Sequence, residues 1–463
     1  MIEIRELSFK YKGGANYSLK DINLKIKKGE CILLCGKSGC GKSTLLKLIN
    51  GIIPEFYDGD ICGSVRVNGI NTFTTEIHEL SKFVGSVFQN PKTQFYTTNT
   101  TDEIAFGLEN YGIDTETINK RITEVEKDLR LERLMNKNIF NLSGGEKQKI
   151  AIASTYALSP EIFVLDEPSS SLDIKSMKEL SQTIENLKAM GKTIIIAEHR
   201  LWYLKDIVDR AIYMEDGKII REYNMEEIEK LSEDERLKTG LRHSSYKDIN
   251  LVNNEESFNE KSSLEIRNLI FKRNARTILS IDNLKFSYGN IIGIVGENGI
   301  GKSTFAKIVC GLYKTNDEEI LKDNRRFNRR NRIKESLLVM QEVNYQLFTD
   351  TVFDEILLTS KIRDKNIVNT YLKDMELENI IDRNPHTLSG GQKQRVIILS
   401  ALLSGKKILF FDEPTSGLDY RNMKIVAKNI KKVKKKDRLI LIISHDIEFL
   451  ESVCDKVIDF TYL

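Results

Sequence analysis

The chain has 463 residues, too many for one hydrophobic core, and a length prior of roughly 150 residues per domain points to about three domains. Hydrophobic residues make up 40% and charged residues 30%, an ordinary globular balance. Lys+Arg total 70 against Asp+Glu 67, a net charge of +3, which gives no support to bulk attraction for nucleic acid or anionic lipid. The opening MIEIRELSFKYK lacks the apolar run of a secretory signal, and no stretch approaches about 18 uncharged apolar residues, so no bilayer span is expected. The cysteines are Cys31, Cys35, Cys40, Cys62, Cys310 and Cys454. Cys31 and Cys35 sit in an apolar run, so they read as small core hydrophobes rather than metal ligands, and a reduced, cytosolic compartment fits best.

In chain order, CILLC at 31–35 is a short apolar run that reads as a buried parallel strand. It leads into Gly36-Lys37-Ser38-Gly39-Cys40-Gly41-Lys42-Ser43-Thr44, which opens a helical segment, TLLKLI. Strand, glycine-rich loop and helix together are the setting that makes this a phosphate-binding loop. Glycines let backbone N–H groups close around phosphates, and the helix N-terminus adds its positive end. Lys42 is expected to reach the β- and γ-phosphates of ATP, and Ser43 to ligate Mg²⁺. After Gln89 comes Leu142-Ser143-Gly144-Gly145-Glu146, where Ser-Gly-Gly opening a helix is a second anion site. IFVLDEP at 162–168 ends a buried strand on an acid pair. Asp166 is suited to the Mg²⁺ shell and Glu167 to orienting and deprotonating a water. A helical pattern covers 173–190, and TIIIAEH at 193–199 reads as a strand ending on His199. Residues 226–262 are polar and charge-mixed, reading as a short helix and a solvated linker, so the expected domains are 1–225 and 263–463.

The second half repeats the set. Gly296-Glu297-Asn298-Gly299-Ile300-Gly301-Lys302-Ser303-Thr304 follows the strand run IIGIV, with Lys302 and Ser303 in the roles of Lys42 and Ser43. Gln341 answers Gln89, and Leu388-Ser389-Gly390-Gly391-Gln392 answers the first Ser-Gly-Gly turn. ILFFD and LILIISH are strand runs carrying Asp412, Glu413 and His445, and 421–436 reads as a helix. Gly36 and Gly296 stand 260 apart, Gln89 and Gln341 stand 252 apart, and Ser143/Ser389, Asp166/Asp412 and His199/His445 all stand 246 apart. Three motifs in constant register mark a duplication.

This ordered set resembles the ATP-binding-cassette (ABC) ATPases. The resemblance covers nearly all of both halves. It implies an α/β fold class: two P-loop NTPase domains, each a mainly parallel sheet with an antiparallel β part and a helical signature subdomain. It also implies that each Ser-Gly-Gly signature acts on the nucleotide held by the other half. One site would join Lys42, Asp166 and Glu167 with Ser389 and Gly391; the other would join Lys302, Asp412 and Glu413 with Ser143 and Gly145. Gln89 and Gln341 fall where a glutamine senses and ligates the Mg²⁺–phosphate group. His199 and His445 match the switch histidine that contacts the γ-phosphate, and Asp173 and Asp419 match a loop at the dimer interface. Tyr11 matches the aromatic that stacks on adenine. Arg273 takes that place in the second half, and Glu146 replaces the usual glutamine at the end of the first signature. With both glutamates and both histidines present, two hydrolytic sites are expected.

The segments QNPKTQFYTTNTTDEIAFGLEN and QEVNYQLFTDTVFDEILL each carry a second glutamine five residues on, Gln94 and Gln346. With AEHRLWYL they look like the energy-coupling-factor importers, which take up vitamins or transition metals. That resemblance implies two partners, an integral membrane coupling subunit and a separate substrate-binding membrane subunit. It also implies a peripheral location on the cytoplasmic face of the cell membrane, with no nucleic acid. The rivals are a soluble tandem cassette factor acting on the ribosome and another ABC transporter type. Two basic clusters, 325–332 and 431–436, bear on the ribosomal rival and read as a solvated hairpin and helix face.

Overall fold

The computed structural model describes residues 1–14, 16–170, 172–245, 262–273, 276–314, 319–362 and 365–462. The chain divides into two compact units, one comprising Met1–Tyr246 with Asp419–Arg421, the other Lys247–Leu418 with Asn422–Leu463. Among the described residues no helix is long and apolar enough to cross a membrane.

The first unit is built on a six-stranded sheet in the order Lys218–Tyr223, Arg210–Glu215, Cys31–Gly36, Thr193–Ala197, Ile162–Asp166, Val84–Val87. All neighbours are parallel except the edge strand Lys218–Tyr223. The run CILLC is apolar throughout because both faces of its strand are covered. Alternation divides it between two cores. Cys31, Leu33 and Cys35 pack with the helices Thr100–Asn110, Gly144–Ala157 and Ile174–Ala189, whereas Ile32 and Leu34 pack with the helix Lys42–Ile49 and an antiparallel sheet. That second sheet runs Leu19–Ile26, Ile2–Tyr11, Gly59–Val67, Ile70–Asn71. The cysteines of the central strand are therefore core residues, as their sequence setting predicts, while Cys62 is exposed.

The second unit repeats the plan. Its five-stranded sheet is parallel throughout, in the order Ser336–Val339, Ile408–Asp412, Leu439–Ile443, Ile291–Val295, Lys456–Asp459. Its antiparallel sheet runs Arg276–Ser287, Ser263–Arg273, Glu319–Lys322, Arg325–Arg326. The helix expected over 421–436 stops at Lys432. The next N–H groups turn back by three residues, Val433 to Ile430 O and Lys434 to Lys431 O, the tightening that closes a helix where no apolar stripe continues.

After the edge strand of the first unit come two short helices, Met225–Glu229 and Glu233–Thr239, where one was expected. Both start with a capping box. Arg236, buried between them, donates to the carbonyls of Ile228 and Arg242, so this stretch packs as folded structure. The remainder of the expected linker, 246–261, lies outside the described residues.

In the second unit Phe305 is fully buried among Phe286, Phe410 and Phe460, with ring centroids 5.1 to 6.0 Å away. Phe305→Ala is expected to cost about 3–5 kcal/mol through lost burial and the cavity left behind. Urea unfolding followed by circular dichroism checks it.

Candidate functional site

The parallel strands of each unit end on the same edge, and there the motifs collect, as general for open α/β sheets. In the first unit the loop after Cys31–Gly36 turns tightly. Gly36 has φ +140°, and a Cβ there would lie 2.1 Å from Met214 O, so no other residue fits. Gly41, at φ +105°, leads into the helix Lys42–Ile49, whose first N–H groups face the loop without a side-chain cap. Lys42 is buried, its Nζ donating to Gly36 O and Lys37 O at 3.1 Å each and lying 3.5 Å from His199 Nε2. Lys37 turns outward to pair with Glu215. Ser43 Oγ donates to Asp166 Oδ1 at 2.9 Å. Gln89 Nε2 donates to Glu167 Oε2 at 2.8 Å, and His199 Nε2 is 3.6 Å from Glu167 Oε1.

Burial dominates the electrostatics. It pushes the Glu167 carboxyl up to about 7 against the pull of the Lys42 ammonium, and it raises Asp166 against its bond from Ser43. Burial, with Lys42 and Arg242 nearby, holds His199 well below the usual range, so its imidazole is neutral. Glu167 has φ +44°, in the left-handed region, a strained backbone for a non-glycine residue at a functional site.

The second unit reproduces this with other partners. Gly296 and Gly301 adopt φ +138° and +107°. Lys302 Nζ donates to Gly296 O at 2.6 Å and Glu297 O at 2.9 Å, and Ser303 hydrogen-bonds Asp412. Glu413, at φ +49°, accepts from Ser444 Oγ at 3.1 Å and from His445 N at 3.0 Å. His445 Nε2 lies 3.1 Å from Asn298 Oδ1.

Both signatures are helix N-termini. Ser143 caps Gly144–Ala157 and Ser389 caps Gly390–Leu403, each in a capping box with the residue three further on. Glu146 Oε2 accepts from Ser143 N at 2.8 Å, and Gln392 Oε1 accepts from Ser389 N at 3.1 Å. A carboxylate and an amide oxygen do the same work there, which explains why Glu146 is compatible with the motif. Asp173 caps Ile174–Ala189 through Ser176 N at 2.7 Å, and Asp419 immediately precedes Tyr420–Lys432.

Tyr11 ends its strand with its hydroxyl 3.2 Å from Thr44 Oγ1 and its ring edge-on to Phe9 and Tyr57. Arg273 is exposed and pairs with Arg276 across a hairpin; the nearby aromatic pair is Phe271 stacked on Tyr313, centroids 5.6 Å apart. Of the basic clusters, Arg325, Arg326, Arg329 and Arg330 are exposed, while Arg332 is buried and donates to Ile308 O. Lys434 pairs with Asp455.

Sequence reasoning passed over several residues at these sites. Glu198, Ser169 and Arg200 form a buried cluster beside Glu167, and the signal was the change from Ser-His-Asp in the second half to Glu-His-Arg in the first. In the sequence Gln94 and Gln346 are only second glutamines five residues beyond the first. Each brackets its loop: Gln94 Nε2 donates to Ser86 O while its Oε1 accepts from Phe88 N, and Gln346 does the same with Leu338 O and Met340 N.

A phosphate loop at the carboxyl edge of a parallel sheet, with an acid pair on a neighbouring strand, defines a P-loop nucleoside triphosphatase, here two in one chain. The ABC transporter family profile matches residues 19–170 and 279–416. A Treponema denticola protein assigned by inference as an ABC transporter ATP-binding protein is 44% identical over 463 residues, covering 99% of this chain and 95% of its own. A Clostridium perfringens protein with the same kind of assignment is 34% identical over 502 residues, covering 99% and 88%. The chain belongs to the ABC transporter ATP-binding family: it is an ATPase of two fused cassettes that binds ATP. Among solved structures, an archaeal ribosome recycling factor, aABCE1, in complex with the ribosomal stalk protein aP1, has TM-score 0.64 at 23% identity, covering 98% of this chain and 87% of that one. That is a likeness of fold.

The raised Glu167 carboxyl carries a pH signature in the nucleotide-free protein. Its folded state keeps the proton up to about pH 7, whereas the unfolded chain releases it near the ordinary value of 4.5, so the stability it contributes is present below pH 4.5 and lost as pH rises to about 7. Glu167→Gln removes this loss. Thermal melts are expected to show the variant gaining on the parent between pH 4.5 and 8, by on the order of 3 kcal/mol at most.

Proposed function

We propose that this chain is the tandem ATPase subunit of a membrane importer of the energy-coupling-factor type, with domains 1–225 and 263–463 joined by 226–262. It would sit at the cytoplasmic membrane face, held there by an integral membrane coupling subunit, with a separate membrane subunit binding the vitamin or metal ion. The observation that carries this reading is a groove of about 570 Å³ in the first unit, alongside the Gln89 segment. Its lining includes Ile52, Phe56, Tyr57, Phe88, Tyr96 and Phe106. Phe56, Tyr57, Phe88 and Tyr96 are exposed large hydrophobics, and such a patch on a soluble surface marks a docking site. An apolar groove of this size suits a short amphipathic helix. The second unit also exposes aromatics in its glutamine segment, Tyr345 and Phe348.

In this reading each triphosphate is gripped from two sides. The phosphate loop of one cassette, with Lys42 or Lys302, binds it, and the Ser-Gly-Gly turn of the other, with Ser389 and Gly391 or Ser143 and Gly145, closes on the γ-phosphate. The Ser43 hydroxyl and Asp166 carboxylate already touch, and a hydroxyl beside a single carboxylate suits Mg²⁺, which takes its remaining ligands from phosphates and water. Ser43, Asp166 and Gln89 would hold one ion, and Ser303, Asp412 and Gln341 the other; bound there, Mg²⁺ neutralises phosphate charge. Glu167 and Glu413 take the proton of the attacking water. The neutral imidazole of His199, and the imidazole of His445 in the second unit, hydrogen-bond the γ-phosphate. Gln89, bonded to Glu167 and rooted in the segment beside the groove, ties the nucleotide's state to the docked helix.

Two measurements test this. Glu167→Gln and Glu413→Gln, made singly, are each expected to lower ATP turnover by at least about twofold, the loss of one site of two. Phe88→Glu with Tyr96→Glu is expected to release the protein from membranes while its ATP binding persists. Recovery of the parent protein with ribosomes instead of membranes overturns the importer reading.

A further inference from the structure

The loop that follows each acid pair is fastened differently in the two units. In the second unit Thr415 Oγ1 donates to Asp446 Oδ2 at 2.6 Å, so the loop is tied to the residue after the switch histidine. The residue before it, Ser444, is then free to donate to Glu413 Oε2, alongside His445 N on Oε1. Asp446 is itself fixed, accepting from Phe449 N as the cap of Ile447–Val453.

At the same register in the first unit Ser169 stands for Thr415, Glu198 for Ser444 and Arg200 for Asp446. Ser169 Oγ donates to the Glu198 carboxylate, so the loop is tied to the residue before the histidine. The Arg200 guanidinium grips the same loop by its backbone, reaching Ser169 O and Leu172 O at 3.4 Å each, immediately ahead of Asp173. All three side chains are buried, Ser169 at 0%, Glu198 at 2% and Arg200 at 8% exposure. Glu198 has taken the place from which Ser444 holds the catalytic carboxylate. Glu167 is held instead by Gln89 Nε2 at 2.8 Å.

We propose that Glu198 is a positioning residue for hydrolysis at Glu167. It clamps the 169–173 loop through Ser169 and leaves the catalytic carboxylate to Gln89, so the first site answers to the glutamine segment while Glu413 is held by its own switch strand. The two sites are therefore built unequal even though the P-loop lysine and serine, the acid pair, the Ser-Gly-Gly turn and the histidine are present in both. The groups facing Glu198 are Ser169, Tyr203, Arg200 and Glu167, and burial beside a second carboxylate favours its protonated form, which still accepts from Ser169. This rests on the reading of Glu167 as the water-activating carboxylate, which Glu167→Gln tests by itself.

The test is steady-state ATP hydrolysis by the full chain, with a thermal melt on each variant. Glu198→Ala is expected to lower kcat by at least about twofold, toward the value of Glu167→Gln, with KM unchanged. Glu198→Gln, whose amide oxygen still accepts from Ser169, is expected to retain the parent kcat. Arg200→Asp alone is expected to lose kcat, and the double change Glu198→Ser with Arg200→Asp, which rebuilds the second unit's arrangement around Ser169, is expected to regain it. If Glu167→Gln slows turnover and Glu198→Ala does not, the proposal is overturned. A folded double variant no faster than the poorer single overturns it as well, as does a Glu198→Gln variant as slow as Glu198→Ala.

Discussion

The constraint on which both sites depend is the burial of carboxylates at the ends of apolar strands. Asp166 and Glu167 follow IFVL, and Asp412 and Glu413 follow ILFF, strands with no exposed face. Taking such groups from water is costly unless they are paired or protonated. Every nearby feature can be read as an answer to that cost. Lys42 and Lys302 are buried within reach, their ammonium groups satisfied by loop carbonyls. The P-loop serines bond the aspartates, and the glutamates accept from Gln89 in one unit and from Ser444 and His445 N in the other. That compensation is incomplete, as the upward shift of Asp166, Glu167 and Asp412 by burial records. Carboxyls shifted in this way would gain from a cation placed beside them.

Much of this was legible in the sequence because the chemistry allows few alternatives. Gly36 must be glycine, since its backbone lies at φ +140° with Met214 O where a Cβ would go. The strands CILLC and IIGIV, IFVLD and ILFFD, TIIIAEH and LILIISH were readable because a strand covered on both faces must be apolar throughout. Constant register between the halves then fixed which residues correspond. What the sequence left out are features set by three-dimensional exchange. Glu198 and Arg200 could be seen to differ from Ser444 and Asp446, but nothing in the string says that the loop anchor moves from one side of the histidine to the other. The second glutamines, Gln94 and Gln346, could be counted but not understood until their amides were seen bracketing the loop. The helical pattern over 421–436 runs past the helix end at Lys432 because lysines are good helix formers, and only the backbone turns after Ile430 show where the helix stops.

The adenine side is a different kind of case. Tyr11 and Arg273 each end the first strand of an antiparallel sheet. Their surroundings are unlike. Tyr11 is fixed by Thr44 and two aromatic neighbours, while Arg273 is exposed and faces Arg276 across the hairpin. The ring pair Phe271–Tyr313 offers a flat apolar surface nearby.

Duplication explains why such differences accumulate without loss of the fold. The two sheets share one strand order and one placement of motif edges, so each half retains the elements that bind phosphate. Outside those elements the halves differ in how a shared geometry is supported: carboxylate or amide in the capping box, Glu198 or Asp446 as the loop anchor, Gln89 or Ser444 as a donor to the second carboxylate of the acid pair. The first kind of exchange is neutral because both groups present the same acceptor oxygen. The second and third are not, because they change which element of the structure the glutamate moves with. Gln89 belongs to a segment beside an open aromatic groove, and Ser444 to the buried end of a core strand. A carboxylate bonded to the groove segment and one bonded beside a core strand are attached to different elements, so the physical asymmetry between the sites lies in their attachments.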